Sequence, residues 1–377
     1  MERKTRICFV GLDNYPVLNP EMGSQYIGGE SVQQTLLAKG FVKRGYDVSM
    51  IVKDVGQPER QLIENISVFK TFKRSAGLPV LRFFVPRLTT IWSALRSANA
   101  DVYYQSCAGM LTGVVSKFCQ IHNRQFVFRL AHDSDCIPGE QLIKYWRDRK
   151  LYEHGLRSAD LIAAQGVKQV ALLQKHYGLP SEPVNMVVEL PGEHAPENKT
   201  IDILWVNNLR QFKRPDLVLE LASNMPSHKF MMIGGAVAGE EQLFEDIKQR
   251  ARDIQNLEFL GAVPYQRVNN YFLEAKVFLN TSDSEGYPNS FLQAWARSIP
   301  IVSFFDPDNI IRDKGYGCVP QDLHQMKSDV EALLSDDRRR TSIGADARQF
   351  VFENYSADAV VQTYVSILNL QRKINEQ

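Results

Sequence analysis

Short apolar runs that end in glycine or small polar residues alternate along this chain with segments of helical period. That alternation predicts parallel sheets with helices laid on their faces. Arg6–Val10 opens the series as an apolar strand closed by Gly11, and a long polar loop leads on to Gly28 and Gly29. Val32, Leu36, Leu37, Phe41 and Val42 then recur at three- and four-residue spacing, Gly45 stops the helix, and Val48–Val52 forms the next strand. The same reading gives strands from Asp101, over Phe126–Leu130 and from Ala159, with helices over Leu111–Cys119 and Val167–Tyr177. A polar, proline-rich stretch from Pro180 to Lys199 breaks the pattern and reads as a linker. A second series follows, with strands over Ile203–Val206, Phe230–Ile233, Leu257–Leu260, Val277–Asn280 and Ile301–Phe304 and helices between them. A last helix is predicted over Ala357–Leu370.

Two doubly wound sheets in 377 residues predict a two-lobed α/β protein with its ligand site in the cleft between lobes. Composition agrees, since 44% apolar and 23% charged residues exclude a largely disordered or coiled-coil chain. Basic and acidic residues number 44 and 43, which argues against a nucleic-acid binder. One local excess stands out. Between Ile66 and Asn99, Lys70, Lys73, Arg74, Arg82, Arg87 and Arg96 meet no acidic residue and are interleaved with Phe69, Phe72, Phe83, Phe84 and Trp92. Such a stretch suits peripheral contact with an anionic membrane or a lipid-linked acceptor, or else is a solvated face of the first lobe. The five cysteines show neither CxxC nor zinc-type spacing, so no metal site is expected. With no leader-like start and no long apolar span, the expectation is a cytoplasmic protein that touches the inner face of a membrane at most.

The densest chemical signal is Asn280-Thr-Ser-Asp-Ser-Glu-Gly-Tyr-Pro-Asn-Ser-Phe-Leu-Gln-Ala-Trp. A strand ends, a small polar loop carries Glu285 and Gly286, and Pro288 and Asn289 start a helix whose free N–H groups suit a phosphate or diphosphate. Glu285 beside that anion site suits sugar hydroxyls, and Gln293, two turns along the helix, would face the same way. A capped helix with a solvated glutamate is the plainer alternative.

This segment resembles the carboxy-terminal signature of the family 4 retaining glycosyltransferases, among the glycosyl transferases group 1, in which a Glu is followed after seven residues by a second Glu. Here the two places hold Glu285 and Gln293. Three further pieces resemble the family in the right order: Gly28-Gly29 before a helix with the Arg44-Gly45-Tyr46-Asp47-Val48 turn, the stretch Ile203–Asp216, and Glu353-Asn-Tyr-Ser before the final helix. The resemblance covers nearly the whole chain. It implies the GT-B architecture: a Rossmann-like acceptor-binding domain over 1–190, a Rossmann-like nucleotide-sugar-binding domain over 200–355, and a terminal helix over 356–377 that crosses back to the first domain.

It also implies roles. Lys213 would neutralise the diphosphate as the glycosidic bond breaks. Glu285 would hold donor-sugar hydroxyls, backbone around Gly286, Tyr287 and Pro288 would line the sugar, and Asn289 and Ser290 would present N–H groups to phosphate. Gln293 would accept from a ribose hydroxyl without the charge of the usual Glu. His132, at the end of a first-lobe strand, matches a histidine near the reaction centre, although a histidine beside Asp133 is also a natural cap or core pair. Gly28 and Gly29 would let backbone approach the diphosphate. Where the family carries an Arg five residues before the Lys this chain has Asn208, and Arg210 is the nearest replacement. The implied reaction moves a hexose, with retention, from a nucleotide-sugar (UDP-glucose or another UDP-hexose) to a carbohydrate or lipid-linked acceptor in exopolysaccharide or envelope glycan assembly. Neither metal nor cofactor is expected. The rivals are a sugar-nucleotide epimerase of the same fold and a nucleotide-sugar binder without catalysis. A nicotinamide enzyme is disfavoured, because Gly11-Leu-Asp-Asn-Tyr-Pro after the first strand lacks GxGxxG.

Overall fold

A computed structural model describes residues 4–19, 28–78, 81–192 and 199–370. The chain divides into two compact units. The first combines residues up to Asn19, Gly28–Val187 and the chain from Ala357 onward, and the second comprises Val188–Ser356.

The first unit is built on an eight-stranded sheet. Its order is Arg60–Ile63, Ile66–Lys73, Asp47–Asp54, Arg6–Val10, Val102–Ser106, Gln125–Arg129, Leu161–Ala164 and Glu182–Pro183. All neighbours are parallel except the first two, which form a hairpin. Glu64 and Asn65 turn that hairpin with φ of 47° and 63°, the backbone of a tight turn that matches strand twist. Cys8, Phe9 and Val10 are fully buried because helices cover both sheet faces, which is why the strand reads as an unbroken apolar run.

The hairpin corrects part of the reading of 66–99. Ile66–Lys73 is a sheet strand in which Phe69 and Phe72 are buried, and Lys70 is held by the Gln57 carbonyl at 3.0 Å and by Asp54 at 3.5 Å. The surface begins only at Lys73. The stretch read as a linker is corrected in the same way. Glu182–Pro183 is an edge strand, Val184, Met186, Val187 and Val188 are buried, and the Gln33 amide is paired with the Val187 backbone at 2.8 and 2.7 Å. Residues 193–198 of that stretch lie outside the described chain.

The helix Ala357–Ile367 belongs to the first unit. It lays Val360, Val361, Tyr364 and Val365 into the same core as Leu37, Ala38 and Phe41 of the helix Gly29–Lys43. Gly40 marks the crossing, since a Cβ there would stand 2.9 Å from Val361 Cγ2. Arg129 is 4% exposed and donates to the Tyr364 hydroxyl at 3.1 Å and the Val184 carbonyl at 3.0 Å, which satisfies a buried guanidinium from two distant segments.

The second unit is a six-stranded, wholly parallel sheet ordered Leu257–Gly261, Phe230–Ile233, Ile201–Val206, Ala275–Asn280, Ile301–Ser303 and Gly317–Cys318. Two helices absent from the sequence reading, Leu323–Ser335 and Asp337–Tyr355, complete it. Each starts on an aspartate cap: Asp322 accepts from the Gln325 N–H at 2.8 Å and Asp336 from the Arg339 N–H at 2.9 Å. Among the described residues no helix is long and apolar enough to cross a membrane.

Candidate functional site

In the second unit the chain runs outward from Ile201–Val206 to one sheet edge and then returns to Ala275–Asn280 on its other side. Loops leaving those two strands therefore diverge at their carboxyl ends, the place where open α/β sheets bind ligands. Those loops are 207–214 and 281–288, and they carry Arg210, Lys213, Glu285, Gly286, Tyr287 and Pro288.

The structure stitches the two loops together. The Asp283 N–H donates to the Phe212 carbonyl at 2.9 Å. The Thr281 hydroxyl reaches the carbonyls of Lys213 and Arg214 at 2.8 and 2.9 Å, and accepts from the Trp205 indole N–H at 3.1 Å. Across this seam Lys213 and Glu285 form an ion pair, their side chains 13% and 8% exposed. The second Glu285 oxygen accepts from the Ser282 hydroxyl at 2.7 Å and the Asn280 amide at 3.4 Å. Asn280 is itself pinned, since its carbonyl accepts from the Ser282 N–H at 3.0 Å. Burial lowers the Lys213 pKa, an effect that Glu285 opposes and Arg210 reinforces. Lys213 is thus neither a solvated helix start nor an isolated cation, and Glu285 is not a solvated glutamate.

Arg210 stands close by, its guanidinium 5.9 Å and the Lys213 ammonium 5.0 Å from the Phe212 ring centre. Gly234 supports the first loop from below. A Cβ there would lie 2.0 Å from the Asn207 carbonyl, so only glycine lets the two backbones meet. Asn207 leaves its buried amide nitrogen without a partner. Pro288 precedes the helix Asn289–Ala296, whose first turn holds Asn289 and Ser290. The Tyr287 side chain turns to Tyr355, with the hydroxyls 2.8 Å apart, so any ligand contact from this residue is left to backbone.

Gln293 is placed differently from the sequence reading. It is 7% exposed and its amide donates to Asn269 at 3.0 Å, while Asn269 donates to Glu189 at 3.0 Å. The side chain closes a buried polar chain within its own unit. The reading also missed Asn280, Thr281 and Ser282, which orient Glu285 and hold the Lys213 loop. Their signal was the run of small hydrogen-bonding residues directly after an apolar strand.

The remaining candidates lie in the first unit, where Arg6–Val10 and Val102–Ser106 flank the equivalent divergence point. Gly28 caps the helix Gly29–Lys43 with φ −76°, a conformation open to any residue, so no backbone freedom requires glycine there. His132 follows the strand Gln125–Arg129 and caps the short turn Asp133–Cys136. The Ser134 N–H donates to its Nδ1 at 3.2 Å, and its own N–H donates to Asp135 at 3.0 Å. The capping role is real, and it places the proton of the neutral ring on Nε2. Among the described residues no three His, Cys, Asp or Glu side chains gather as metal ligands.

Glu30, next to the two glycines, was not singled out. Burial pushes its pKa from the ordinary 4.5 up to about 7, against the lowering effect of hydrogen bonds from Cys107 and Gln34. The folded state therefore holds this proton where the unfolded chain releases it, and Glu30 makes stability fall as pH rises from about 4.5 to about 7. Glu30→Gln is expected to remove that part of the slope. Thermal unfolding at pH 5 and pH 8 should show a smaller loss for the variant than for the parent, and equal losses would refute the assignment.

Comparisons with known proteins bear on this geometry. Residues 189–350, nearly the whole second unit, match the family described as Glycosyl transferases group 1. An uncharacterized glycosyltransferase of Haemophilus influenzae is 20% identical over 90% of this chain and 96% of its own length. The O-antigen biosynthesis glycosyltransferase WbnH of Escherichia coli is 28% identical over 41% of this chain and 44% of its own. Anabaena HepE, solved in complex with UDP and glucose, shares the fold with a TM-score of 0.72 at 13% identity, over 97% of this chain and 99% of that one.

Proposed function

We propose that this chain, whose second unit matches the Glycosyl transferases group 1 family, carries out a retaining hexosyl transfer with a UDP-hexose, UDP-glucose foremost, as donor. The acceptor is a glycan or lipid-linked sugar of envelope or exopolysaccharide assembly. The observation that carries this reading is the buried Lys213–Glu285 pair across two loops at the strand ends. It holds a cation for a leaving diphosphate directly beside a carboxylate for sugar hydroxyls. Support for the donor and pathway comes from HepE, whose structure holds UDP and glucose, and from WbnH, named for O-antigen biosynthesis.

In the proposed reaction the bond between the anomeric carbon and the diphosphate oxygen breaks. The acceptor hydroxyl oxygen bonds that carbon from the same face, and its proton passes to the departing phosphate oxygen. Lys213 meets the charge that develops on the phosphate, and the N–H groups of Asn289 and Ser290 together with the unpartnered Asn207 amide add donors there. Glu285, with its carboxylate fixed by Ser282 and Asn280, orients the sugar. In the first unit the candidates for this reaction are His132, whose Nδ1 accepts from the Ser134 N–H, and Gly28 and Gly29. No metal is needed in this scheme, because protein cations do the neutralising.

Thermal unfolding against UDP-, GDP-, ADP- and dTDP-sugars and NAD tests the donor. A nucleotide-sugar at a hundred times its dissociation constant adds about 2.7 kcal/mol of stability. A shift with UDP-hexoses is expected, and unchanged by a chelator. A response to NAD alone overturns the transferase reading, and consumption of the donor without any acceptor favours an epimerase.

A further inference from the structure

Seven exposed apolar side chains of the first unit fall in two stretches far apart in sequence, whereas Leu62, Ile121 and Val167, comparably exposed, each stand alone along the chain. Leu78, Leu81, Phe84 and Val85 are 70%, 60%, 58% and 62% exposed. Leu142, Tyr145 and Trp146 are 80%, 55% and 77% exposed where the chain enters the helix Trp146–Arg157. The guanidinium of Arg147 lies 3.7 Å over the centre of the Phe83 ring, so the two stretches form one face. Arg87 ties the base of the first stretch down, stacking 5.3 Å from the Phe72 ring and donating to the Arg74 carbonyl at 3.5 Å.

Cations rim this face. Lys73, Arg74 and Arg82 are exposed, and none is paired with a carboxylate among the described residues. Lys73 and Arg74 also line a surface recess of about 440 Å³, whose one carboxylate, Asp54, is paired with Lys70. The nearest acidic groups on the helix, Asp148 and Glu153, are held by Arg147 at 2.8 Å and Lys150 at 3.4 Å. Glu140, exposed two residues before Leu142, is answered by the exposed Lys144, and Lys73, Arg74 and Arg82 leave the net free charge of the face positive.

We propose that this face docks the unit onto an anionic phospholipid bilayer. Trp146, Phe84 and Leu81 enter the boundary between headgroups and acyl chains, and Lys73, Arg74 and Arg82 take lipid phosphates. Each of these apolar groups is more than half exposed and cations stand beside them, which suits a fluid anionic surface. Aromatic side chains with Lys and Arg beside them are the composition of membrane interfaces. Free phosphate would engage the cations and leave the apolar prongs in water. The proposal goes beyond the transfer reaction and stands whichever donor is used.

Co-sedimentation of the full chain with phosphatidylglycerol–phosphatidylcholine vesicles, and with phosphatidylcholine alone, tests it. Strong, salt-sensitive binding to the anionic vesicles and little to the neutral ones is expected. The triple variant Lys73→Gln, Arg74→Gln, Arg82→Gln should bind roughly a hundredfold more weakly, at about a fivefold loss for each cation near the surface. The pair Phe84→Ser, Trp146→Ser should also weaken binding, and Trp146→Phe should remove a blue shift of tryptophan fluorescence on binding. All these side chains are exposed, so the thermal midpoints should match the parent. Failure of the parent to bind anionic vesicles overturns the proposal, as does full binding by either multiple variant. Binding abolished by inorganic phosphate but indifferent to Phe84 and Trp146 overturns it too, in favour of a free-anion site.

Discussion

Glu285→Gln is expected to cut turnover by about two to three orders of magnitude while leaving affinity for UDP equal to or tighter than that of the parent. In the proposed reaction Glu285 orients the sugar, and losing a group that positions the reacting centre costs about that much. Binding moves the other way because of the ion pair. In the free protein Lys213 is already neutralised by Glu285, and both side chains are almost wholly buried. A diphosphate must compete with that carboxylate for the same ammonium, and glutamine removes the competitor. The free variant should also be less stable, since breaking a buried pair from one side strands the other charge at about 3–5 kcal/mol. UDP should then shift the variant's thermal midpoint further than the parent's. Calorimetric titration with UDP and rates of sugar transfer, measured on both proteins, decide the matter. Unchanged turnover would remove Glu285 from the reaction, and loss of UDP binding together with turnover would make it a simple nucleotide contact.

The second large effect concerns the chain after Ser356. Ending the protein there is expected to unfold the first unit and leave Val188–Ser356 folded. The lost segment buries Val360, Val361, Tyr364, Val365, Leu368 and Leu370 in the first unit's core. At about 1.5–3 kcal/mol for each large buried side chain, the loss rivals the 5–15 kcal/mol by which a domain is stable at all. Arg129 also loses the Tyr364 hydroxyl while still surrounded by protein. Limited proteolysis should digest the first unit and spare a fragment matching the second. A truncated protein whose first unit resists protease like the parent would show that the helix is an accessory.

Fold class was legible because buried parallel strands are continuous apolar runs, as in Arg6–Val10 and Phe230–Ile233, and glycine or proline punctuates what lies between. The hairpin at Glu64–Asn65 escaped because its signal is two left-handed residues other than glycine, and its second strand, Ile66–Lys73, sets a lysine directly after each phenylalanine. Leu323–Ser335 and Asp337–Tyr355 escaped although Asp322 and Asp336 stand where a capping residue belongs. Few of their side chains are buried, Met326, Val330 and Leu333 in the first and Ala347, Val351 and Tyr355 in the second, so the apolar period is faint. At the site, Lys213 and Glu285 were each legible from a local pattern. Their contact was not, because 72 positions separate them and only the return of the chain to Ala275–Asn280 makes them neighbours. Gln293 was misjudged for a related reason. Helical spacing from the site gives a direction along the helix but is silent on Asn269, which arrives from another helix and takes the amide.

The interleaving of the two units along the chain governs the order in which they mature on the ribosome. Every residue of Val188–Ser356 emerges before Ala357, so the second unit has all of its sequence while the first still lacks a helix. At about 5–20 residues per second, the intervening synthesis takes roughly ten to thirty seconds. For that interval Leu37, Ala38 and Phe41 present an unfinished apolar face to the cell. A nascent chain of this design needs either a chaperone on that face or a slowly aggregating first unit, and its last helix acts as the latch that ends the exposure.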